Sequence, residues 1–240
     1  MKKLNYILAL VVIVLVATWY LKRNTKYDPK DTAIIVVDVQ GDFTTAKKGA
    51  LAVPGTDESY IKDVQNFVDT MRDEGYQIVF TQDWHPKNHT SFAKNHGMQP
   101  KLPPELITLK RKDGTKYQQE MWPKHCVQGT ENAKVLLDVH EEDIVQKKGT
   151  RKAYDSYSGF EDAGHQPTGL ADKLKARGIK NIIVLGLATD FCVKFTALDG
   201  VKSGFNVTFV EDLSRAIVEG AGLDQMAKSG ISKVQSHIFH

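Results

Sequence analysis

Side chains that can do covalent or acid–base chemistry follow four apolar, strand-like runs of the sequence. In chain order they are Asp38, then Asp83 with His85, then Lys148, then Cys192. The carboxyl ends of parallel strands meet at one edge of an open α/β sheet, and ligands bind at that edge. Because four separate strand ends agree, the sequence predicts a single site that combines a thiol, a cation, carboxylates and an imidazole.

The thiol is the most informative of these groups. Cys192 lies at the predicted start of a helix, where a neighbouring lysine such as Lys148 is expected to lower the thiol pKa and a carboxylate such as Asp38 can take its proton. Taken singly, each residue has a plainer explanation: an aspartate that closes a turn, a solvated lysine, or a small buried cysteine. Together they favour a cysteine hydrolase.

A second group of residues has the composition of a metal site. Asp83 and His85 form a D-x-H pattern, and His125 closes the segment WPKH at 122–125. Two histidines and one carboxylate suit a divalent ion such as zinc, with open positions for water or substrate. The D-x-H pattern alone is weak, and the forty residues between His85 and His125 do not by themselves pair the two histidines.

An alternation of strands and helices surrounds these residues. Strands are predicted at Thr32–Asp38, Tyr76–Asp83, Asp143–Lys147, Asn181–Leu187, Asn206–Val210 and Lys233–His237, and helices around 61–71 and 170–174 and over Asp190–Ser203 and Arg215–Lys228. Repeated β-α units predict one domain over residues 31–240, a three-layer α/β/α sandwich around a mostly parallel sheet. Within the long interval 91–122, Asp113-Gly114 predicts a hairpin over Ile107–Gln118 that forms a surface flap.

The first 30 residues carry a different pattern. The apolar segment Leu4–Leu21 would span roughly 27 Å as a helix, close to the thickness of a bilayer core. Trp19 and Tyr20 then lie where an aromatic belt is expected, and two basic residues follow them. We predict a single-pass transmembrane helix that anchors the chain in the membrane. A cleaved signal peptide is the alternative, although no pair of small residues marks a cut.

Net charge and cysteine content limit which binding partners and which cellular compartment we expect. The net charge is +3, but residues 1–30 carry +5, so the rest of the chain carries −2 and offers no electrostatic footprint for nucleic acid. Cys126 and Cys192 are the only cysteines; they form no C-x-x-C redox motif, and a required free thiol favours the cytoplasmic face. The numbers of basic residues on the two sides of the apolar segment are nearly equal, so an extracytoplasmic location of the domain is the alternative. The sequence does not indicate the oligomeric state.

Five stretches carry a resemblance to a known family. They are VDVQGDF (37–43), QDWHPKNHTSF (82–92), WPKHCVQGT (122–130), KKGTRKAYDSYSGF (147–160) and GLATDFCVKFTALDG (186–200). On these motifs, residues 32–240 resemble the nicotinamidase branch of the isochorismatase-like cysteine hydrolases. The resemblance implies hydrolysis of nicotinamide, and also of pyrazinamide, to the acid and ammonia, with a role in NAD salvage.

The resemblance also implies roles for individual residues. Asp38, Lys148 and Cys192 match the catalytic triad. Asp83, His85 and His125 match the ligands of one divalent metal, with zinc favoured over manganese or iron and Ser91 as a candidate fourth ligand, direct or through water.

Further matches concern the oxyanion and the substrate ring. The Leu187–Ala188 bond matches a cis peptide that aims the backbone N–H groups of Ala188 and Cys192 at the oxyanion. Phe43, Trp122 and Tyr157 match aromatic walls of the pyridine pocket, with plain core packing as the alternative. Gly41 stands where the family usually has asparagine.

Two other functions stay open on the sequence. One is another isochorismatase-like amide hydrolase, although such relatives generally lack the D-x-H and WPxHC ligands. The other is a membrane-tethered pseudoenzyme that binds nicotinamide without turning it over, which an intact triad disfavours.

Overall fold

Every strand of the central sheet runs parallel to its neighbours in the computed structural model, which describes residues 27–239. The strands are β1 Thr32–Val37, β2 Gln77–Asp83, β3 Glu105–Lys110, β4 Lys116–Met121, β5 Ile144–Lys148, β6 Asn181–Leu187, β7 Asn206–Arg215 and β8 Ser232–Val234. Six of them form the sheet in the order β5-β2-β1-β6-β7-β8, and β3 pairs only with β4. The predicted parallel sheet is confirmed.

The apolar run of β1 is continuous because the sheet is covered on both faces. All six of its residues are buried. Ile34 and Val36 point into one core, whereas Ala33, Ile35 and Val37 point into the other. A strand buried on both sides gains stability from an apolar side chain at every position, so the alternation typical of half-exposed strands is missing.

Four α-helices within residues 27–239 cover the two faces of the sheet. They are α1 Glu58–Asp73, α2 Leu170–Ala176, α3 Lys194–Lys202 and α4 Leu223–Lys228. α1 packs on one face through Val64 and Val68, whereas Leu170 of α2, Ala197 of α3 and Met226 of α4 belong to the core on the other face. The three layers that the sequence predicts are therefore present.

The strand order reverses between β1 and β6, and this reversal positions the site. From β1 the sheet continues to β2 and β5 on one side, and from β6 it continues to β7 and β8 on the other. Such a switch point opens a crevice at the carboxyl ends of its two strands. There Val37 pairs with Gly186, whose φ is +114° and whose added Cβ would lie 2.3 Å from Val37 O. Only glycine permits this approach of the two strands.

The flap, which we define as residues 105–121, is the predicted hairpin with longer strands than expected. Its register joins Lys110 to Lys116 and extends to Glu105 opposite Met121. The tip does not stand free, because Lys112 N donates a 3.0 Å hydrogen bond to Tyr154 Oη. The tip of the flap therefore contacts the loop that follows β5.

Three sequence predictions of secondary structure need correction. The predicted helix Arg215–Lys228 is wrong in its first half, because β7 continues through a bulge to Arg215 and residues 216–222 form bends and turns in which Gly220 and Gly222 have positive φ. Only Leu223–Lys228 is helical. The predicted strand Lys233–His237 ends early, as β8, and a 3-10 turn follows at Ser236–Phe239. The predicted helix Asp190–Ser203 begins with a π-helical turn, Thr189–Val193, before α3.

The predicted transmembrane helix Leu4–Leu21 lies outside the described residues. Within residues 27–239, none of the helices combines the length and apolar character needed to cross a membrane.

Candidate active site

A fully buried lysine occupies the centre of the crevice. Lys148, the last residue of β5, donates hydrogen bonds from Nζ to Asp83 Oδ1 at 2.5 Å, to Ser156 O at 2.9 Å and to Cys192 Sγ at 3.4 Å. The same Nζ lies 2.8 Å from Asp38 Oδ2. The structure thus brings the three residues of the predicted triad together, and it joins them to one predicted metal ligand.

Thr81 fixes the carboxylate of Asp38. Asp38 follows β1 directly with a φ of 48°. The Thr81 hydroxyl donates to Asp38 Oδ1 at 2.6 Å and accepts from Asp38 N at 3.2 Å. Sequence analysis did not single out Thr81; its only signal is its place on β2, two residues before Asp83.

The turn that carries Cys192 is built around one carbonyl. The Leu187–Ala188 peptide is cis, as the resemblance implies. Ala188 O then accepts from Phe191 N at 3.0 Å and from Val193 N at 3.1 Å, which places Cys192 between the two donors. Cys192 is buried and reaches the crevice next to Lys148.

Asp190 ties this turn to the loop that follows β7. Its two carboxylate oxygens accept from Ile217 N at 3.0 Å and from Val218 N at 2.9 Å. Ile217 reaches the same cavity as Cys192, so this carboxylate holds one wall of the pocket against the cysteine turn. Asp190 was not predicted as a site residue, although it lies within the motif GLATDFC.

Electrostatics correct one sequence prediction. The thiol pKa was expected to be lowered, but burial raises the pKa of Cys192 well above its ordinary value, and the opposing effect of Lys148 is smaller. Burial likewise raises the pKa of Asp38, with Lys148 again opposing. Burial by itself lowers the pKa of Lys148, but the Asp38 and Asp83 carboxylates raise it well above its ordinary value. Cys192 is therefore a neutral thiol in the closed site, beside a carboxylate made more basic by burial.

The predicted metal ligands also converge. His85 Nε2 lies 3.3 Å and His125 Nε2 3.9 Å from Asp83 Oδ2. His85 Nδ1 faces Gly149 O at 2.9 Å, and His125 Nδ1 faces Pro123 O at 2.8 Å. Because a carbonyl only accepts, each Nδ1 carries a hydrogen, and each Nε2 is turned towards the carboxylate.

This donor set fits a divalent ion. His85 Nε2 is buried and has no hydrogen-bond partner among residues 27–239. Burial lowers the pKa of His125 to about 4, with His85 adding to the effect, so the His125 ring is neutral as a ligand must be. Two imidazole nitrogens and one carboxylate oxygen, each oriented by the fold, form the kind of set that zinc prefers.

Backbone clamps hold these ligands. Gln40 donates to Asp83 O at 2.9 Å and accepts from Asp83 N at 2.8 Å. Asp42 accepts from Cys126 N at 2.7 Å, directly after His125. Both clamping residues belong to the VDVQGDF motif, yet sequence analysis gave neither a role.

Ser91 is held by His89, two residues before it in the chain. His89 Nε2 lies 3.2 Å from Tyr154 O and must donate to it, so His89 Nδ1 accepts from Ser91 Oγ at 2.7 Å. The His89 ring stacks on His85 with centroids 4.2 Å apart. This commits the Ser91 hydroxyl hydrogen and leaves its oxygen lone pairs for a ligand; the fourth metal ligand stays a prediction.

The three predicted pocket aromatics line one cavity. They meet Ala188 and Cys192 there, together with Asp83, His125, Leu51, Val53, Phe191 and Ile217. The cavity is small, with a volume of about 30 Å³.

Comparisons with known proteins agree with this geometry. Residues 32–234 match the Isochorismatase domain. The nicotinamidase of Acinetobacter baylyi is 42% identical over 212 residues, which cover 85% of this chain and 92% of that protein. A solved nicotinamidase/pyrazinamidase from Acinetobacter baumanii is 38% identical with a TM-score of 0.74, covering 89% of this chain and 100% of its own. A zinc-bound pyrazinamidase from Pyrococcus horikoshii is 34% identical with a TM-score of 0.69, covering 85% and 99%.

The fold and the buried cluster of thiol, lysine and carboxylates define an amidohydrolase of the α/β class. More narrowly, the chain belongs to the isochorismatase family, in which the relatives just named are nicotinamidases and pyrazinamidases. The resemblance noted from the motifs is confirmed.

Proposed function

We propose that this protein hydrolyses nicotinamide to nicotinate and ammonia through a thioester on Cys192. The observation that carries the proposal is the position of Lys148, whose Nζ contacts the thiol, the predicted base Asp38 and the predicted metal ligand Asp83 at once. A single cation thus joins a nucleophile to a ring-binding site. The 42% identity to a nicotinamidase supports the choice of amide.

Acylation begins with the transfer of the thiol proton to Asp38. The Asp38 carboxylate and Cys192 Sγ lie within 4.8 Å of each other, and burial raises the pKa of Asp38, which makes its carboxylate a stronger base. Lys148 stabilises the thiolate as it forms. Sγ then bonds to the amide carbon while the N–H groups of Ala188 and Cys192 receive the oxyanion, each worth about 2.7–4 kcal/mol in comparable sites.

Collapse of this adduct breaks the C–N bond. The proton held by Asp38 passes to the leaving nitrogen, and ammonia departs from the thioester. Asp38, again a carboxylate, takes a proton from water, whose oxygen attacks the thioester carbon. The thiolate leaves and regains the proton from Asp38, and the product departs as nicotinic acid, which ionises to nicotinate in water.

We assign Asp83, His85 and His125 to one divalent ion, zinc in preference to manganese or iron, with Ser91 as a further ligand. The zinc-bound pyrazinamidase supports this choice. When bound, the ion would accept the pyridine nitrogen and withdraw electrons from the ring. Phe43, Trp122 and Tyr157 would hold the ring faces, and pyrazinamide, which also carries a ring nitrogen, would be a second substrate.

The test is ammonia release from nicotinamide by the purified full-length chain. We expect turnover with metal present and release of nicotinate in equal amount. A protein that binds nicotinamide without releasing ammonia would be the pseudoenzyme, and a preference for an amide without an aromatic ring would place the chain with other amide hydrolases of the family.

We further propose that residues 4–21 anchor the hydrolase domain, residues 31–240, on the cytoplasmic face of a membrane, where nicotinate would feed NAD salvage. The support is the length and apolar character of this segment. The full-length chain should sediment with membranes and resist carbonate extraction. A mature N-terminus beyond Ala17 would instead identify a signal peptide, and protease accessibility in sealed vesicles reports the face.

A further inference from the structure

We propose that Glu120, on β4 of the flap, is a positioning residue that fixes the aromatic wall of the pocket through Tyr157. Tyr157 Oη lies 2.9 Å from Glu120 Oε2, and Trp122 Nε1 lies 2.9 Å from Tyr157 Oη. Both rings line the cavity above Cys192, whereas Glu120 does not. This inference rests on the proposed function, because it assigns the wall a role in binding that substrate.

The direction of this chain of hydrogen bonds is fixed by chemistry. An indole N–H only donates, so Tyr157 Oη must accept from Trp122. The Tyr157 hydroxyl hydrogen is then free to go to Glu120, whose carboxylate only accepts. The terminal bond involves a charged acceptor and is therefore the stronger of the two. Without Glu120 the tyrosine hydroxyl loses its acceptor and can rotate away from the indole.

A second set of contacts ties the flap to the loop that carries Tyr157. Gln119 Nε2 donates to Asp155 Oδ2 at 3.1 Å, and this contact is buried. Lys112 N donates to Tyr154 Oη at the tip of the flap. The flap thus contacts the loop at its tip and directly beside Glu120, and these contacts hold the carboxylate within reach of Tyr157.

Packing of the rings makes their orientation matter. Phe191 meets Trp122 edge-on at 5.1 Å between centroids and Tyr157 at 5.4 Å. Because Phe191 is adjacent to Cys192, a tilt of the Trp122 and Tyr157 rings would also shift the turn that carries the thiol. With a cavity of about 30 Å³, even a small tilt changes how a ring can be seated.

The kinetic test uses Glu120→Ala, Glu120→Gln, Tyr157→Phe and the double variant Glu120→Ala/Tyr157→Phe in the full-length, metal-loaded protein. We expect Glu120→Ala to raise the KM for nicotinamide about tenfold with kcat within about twofold, since a wall that holds the ring acts on binding. Glu120→Gln, which keeps an acceptor oxygen, should restore most of the loss. Glu105→Ala, an exposed change on the same hairpin, is the matched control and should leave KM unchanged.

The double variant decides whether Glu120 acts through Tyr157. If it does, Glu120→Ala/Tyr157→Phe has the same KM as Tyr157→Phe alone. A KM that rises by the product of the two single effects would overturn the proposal, as would an unchanged KM in Glu120→Ala.

A readout independent of turnover separates this proposal from the proposed function. In a Trp19→Phe/Trp84→Phe background, Trp122 is the only tryptophan. We expect acrylamide to quench Trp122 fluorescence more strongly in Glu120→Ala than in the parent protein. Tyr157→Phe should show the same increase as Glu120→Ala. Failure of the parent protein to hydrolyse nicotinamide would refute the proposed function alone, whereas unchanged quenching in Glu120→Ala would refute the role of Glu120.

Discussion

The two halves of the site differ in what they need to be complete. In the half around Lys148, a buried cation faces two carboxylates, and its three hydrogen bonds all find acceptors. In the half around His85 and His125, two imidazole Nε2 atoms face one carboxylate, and His85 Nε2 has no hydrogen-bond partner within residues 27–239. The first half is closed by an ion pair, because Asp38 Oδ2, which accepts no hydrogen bond within residues 27–239, lies 2.8 Å from Lys148 Nζ, whereas the second calls for a cation.

One carboxylate links the halves. Asp83 gives Oδ1 to Lys148 and Oδ2 to the histidines. Burial by itself raises its pKa, but Lys148 and His85 outweigh this and hold the pKa of Asp83 below its usual range. Substitutions at Asp83 therefore disturb both halves of the site. The contribution of each half is better measured with substitutions at residues that belong to that half alone.

The largest effect is expected at the far end of the Lys148 half. Cys192→Ala should lower kcat for nicotinamide by about 10⁴-fold or more, because the nucleophile is lost. Metal content should stay at that of the parent protein, since the thiol is not assigned to the ion. Cys126→Ala, at the other buried cysteine, is the control and should retain activity. Residual turnover by Cys192→Ala near that of the parent would refute the mechanism.

The next effect isolates the histidine half. An added Cβ at Gly149 would lie 2.3 Å from His85 Cε1, so Gly149→Ala should displace the ring, release the metal and lower activity about 100-fold. Gly178→Ala is the matched control, because Gly178 also has a positive φ but open space around it. Metal analysis and ammonia release measure both variants. Equal metal content in the two would contradict the assigned role of His85.

Acid should weaken metal binding through one histidine. Burial alone lowers the pKa of His85, but Asp83 outweighs this and raises it above its ordinary value, whereas the pKa of His125 is lowered to about 4. Metal binding must therefore displace one proton from His85 at pH values below this raised pKa, where the affinity should fall by up to about tenfold per pH unit. Competition with a chelator measures this. A pH-independent affinity, or a dependence on two protons, would count against the arrangement.

The smallest effect tests how firmly the Lys148 half is held. Thr81→Val removes the hydroxyl that orients Asp38 at nearly constant volume, and we expect kcat to fall about fivefold with KM unchanged. Thr81→Ser keeps the hydroxyl and should stay within about twofold of the parent. Equal losses in the two variants would show that packing, not the hydrogen bond to Asp38, is what matters.

The sequence could predict the features that lie within the strands or directly after them. Apolar runs located β1, β2 and β6, and their carboxyl ends located Asp38, Asp83 and Cys192 at one edge. The motifs added His125 and the pocket aromatics, which spacing alone could not join to that edge.

The features that sequence missed depend on contacts between distant segments. Glu120 reaches Tyr157 across 37 residues and Thr81 reaches Asp38 across 43. The raised pKa of Cys192 follows from burial, which a helix-start pattern does not reveal. Arg215 is a strand residue and not the start of a helix, because β7 extends along the end of β6, where Gly186 N donates to Ser214 Oγ.

The central claim is that the two halves act on different parts of one substrate, the thiol on the carboxamide and the metal site on the ring nitrogen. Nicotinamide and benzamide differ only in that nitrogen, so their kcat/KM values, measured with the metal-loaded and the metal-stripped protein, test the claim directly. We predict a preference for nicotinamide of about 100-fold in the loaded protein that disappears when the metal is removed. A preference that survives metal removal, or equal rates with metal bound, would contradict it.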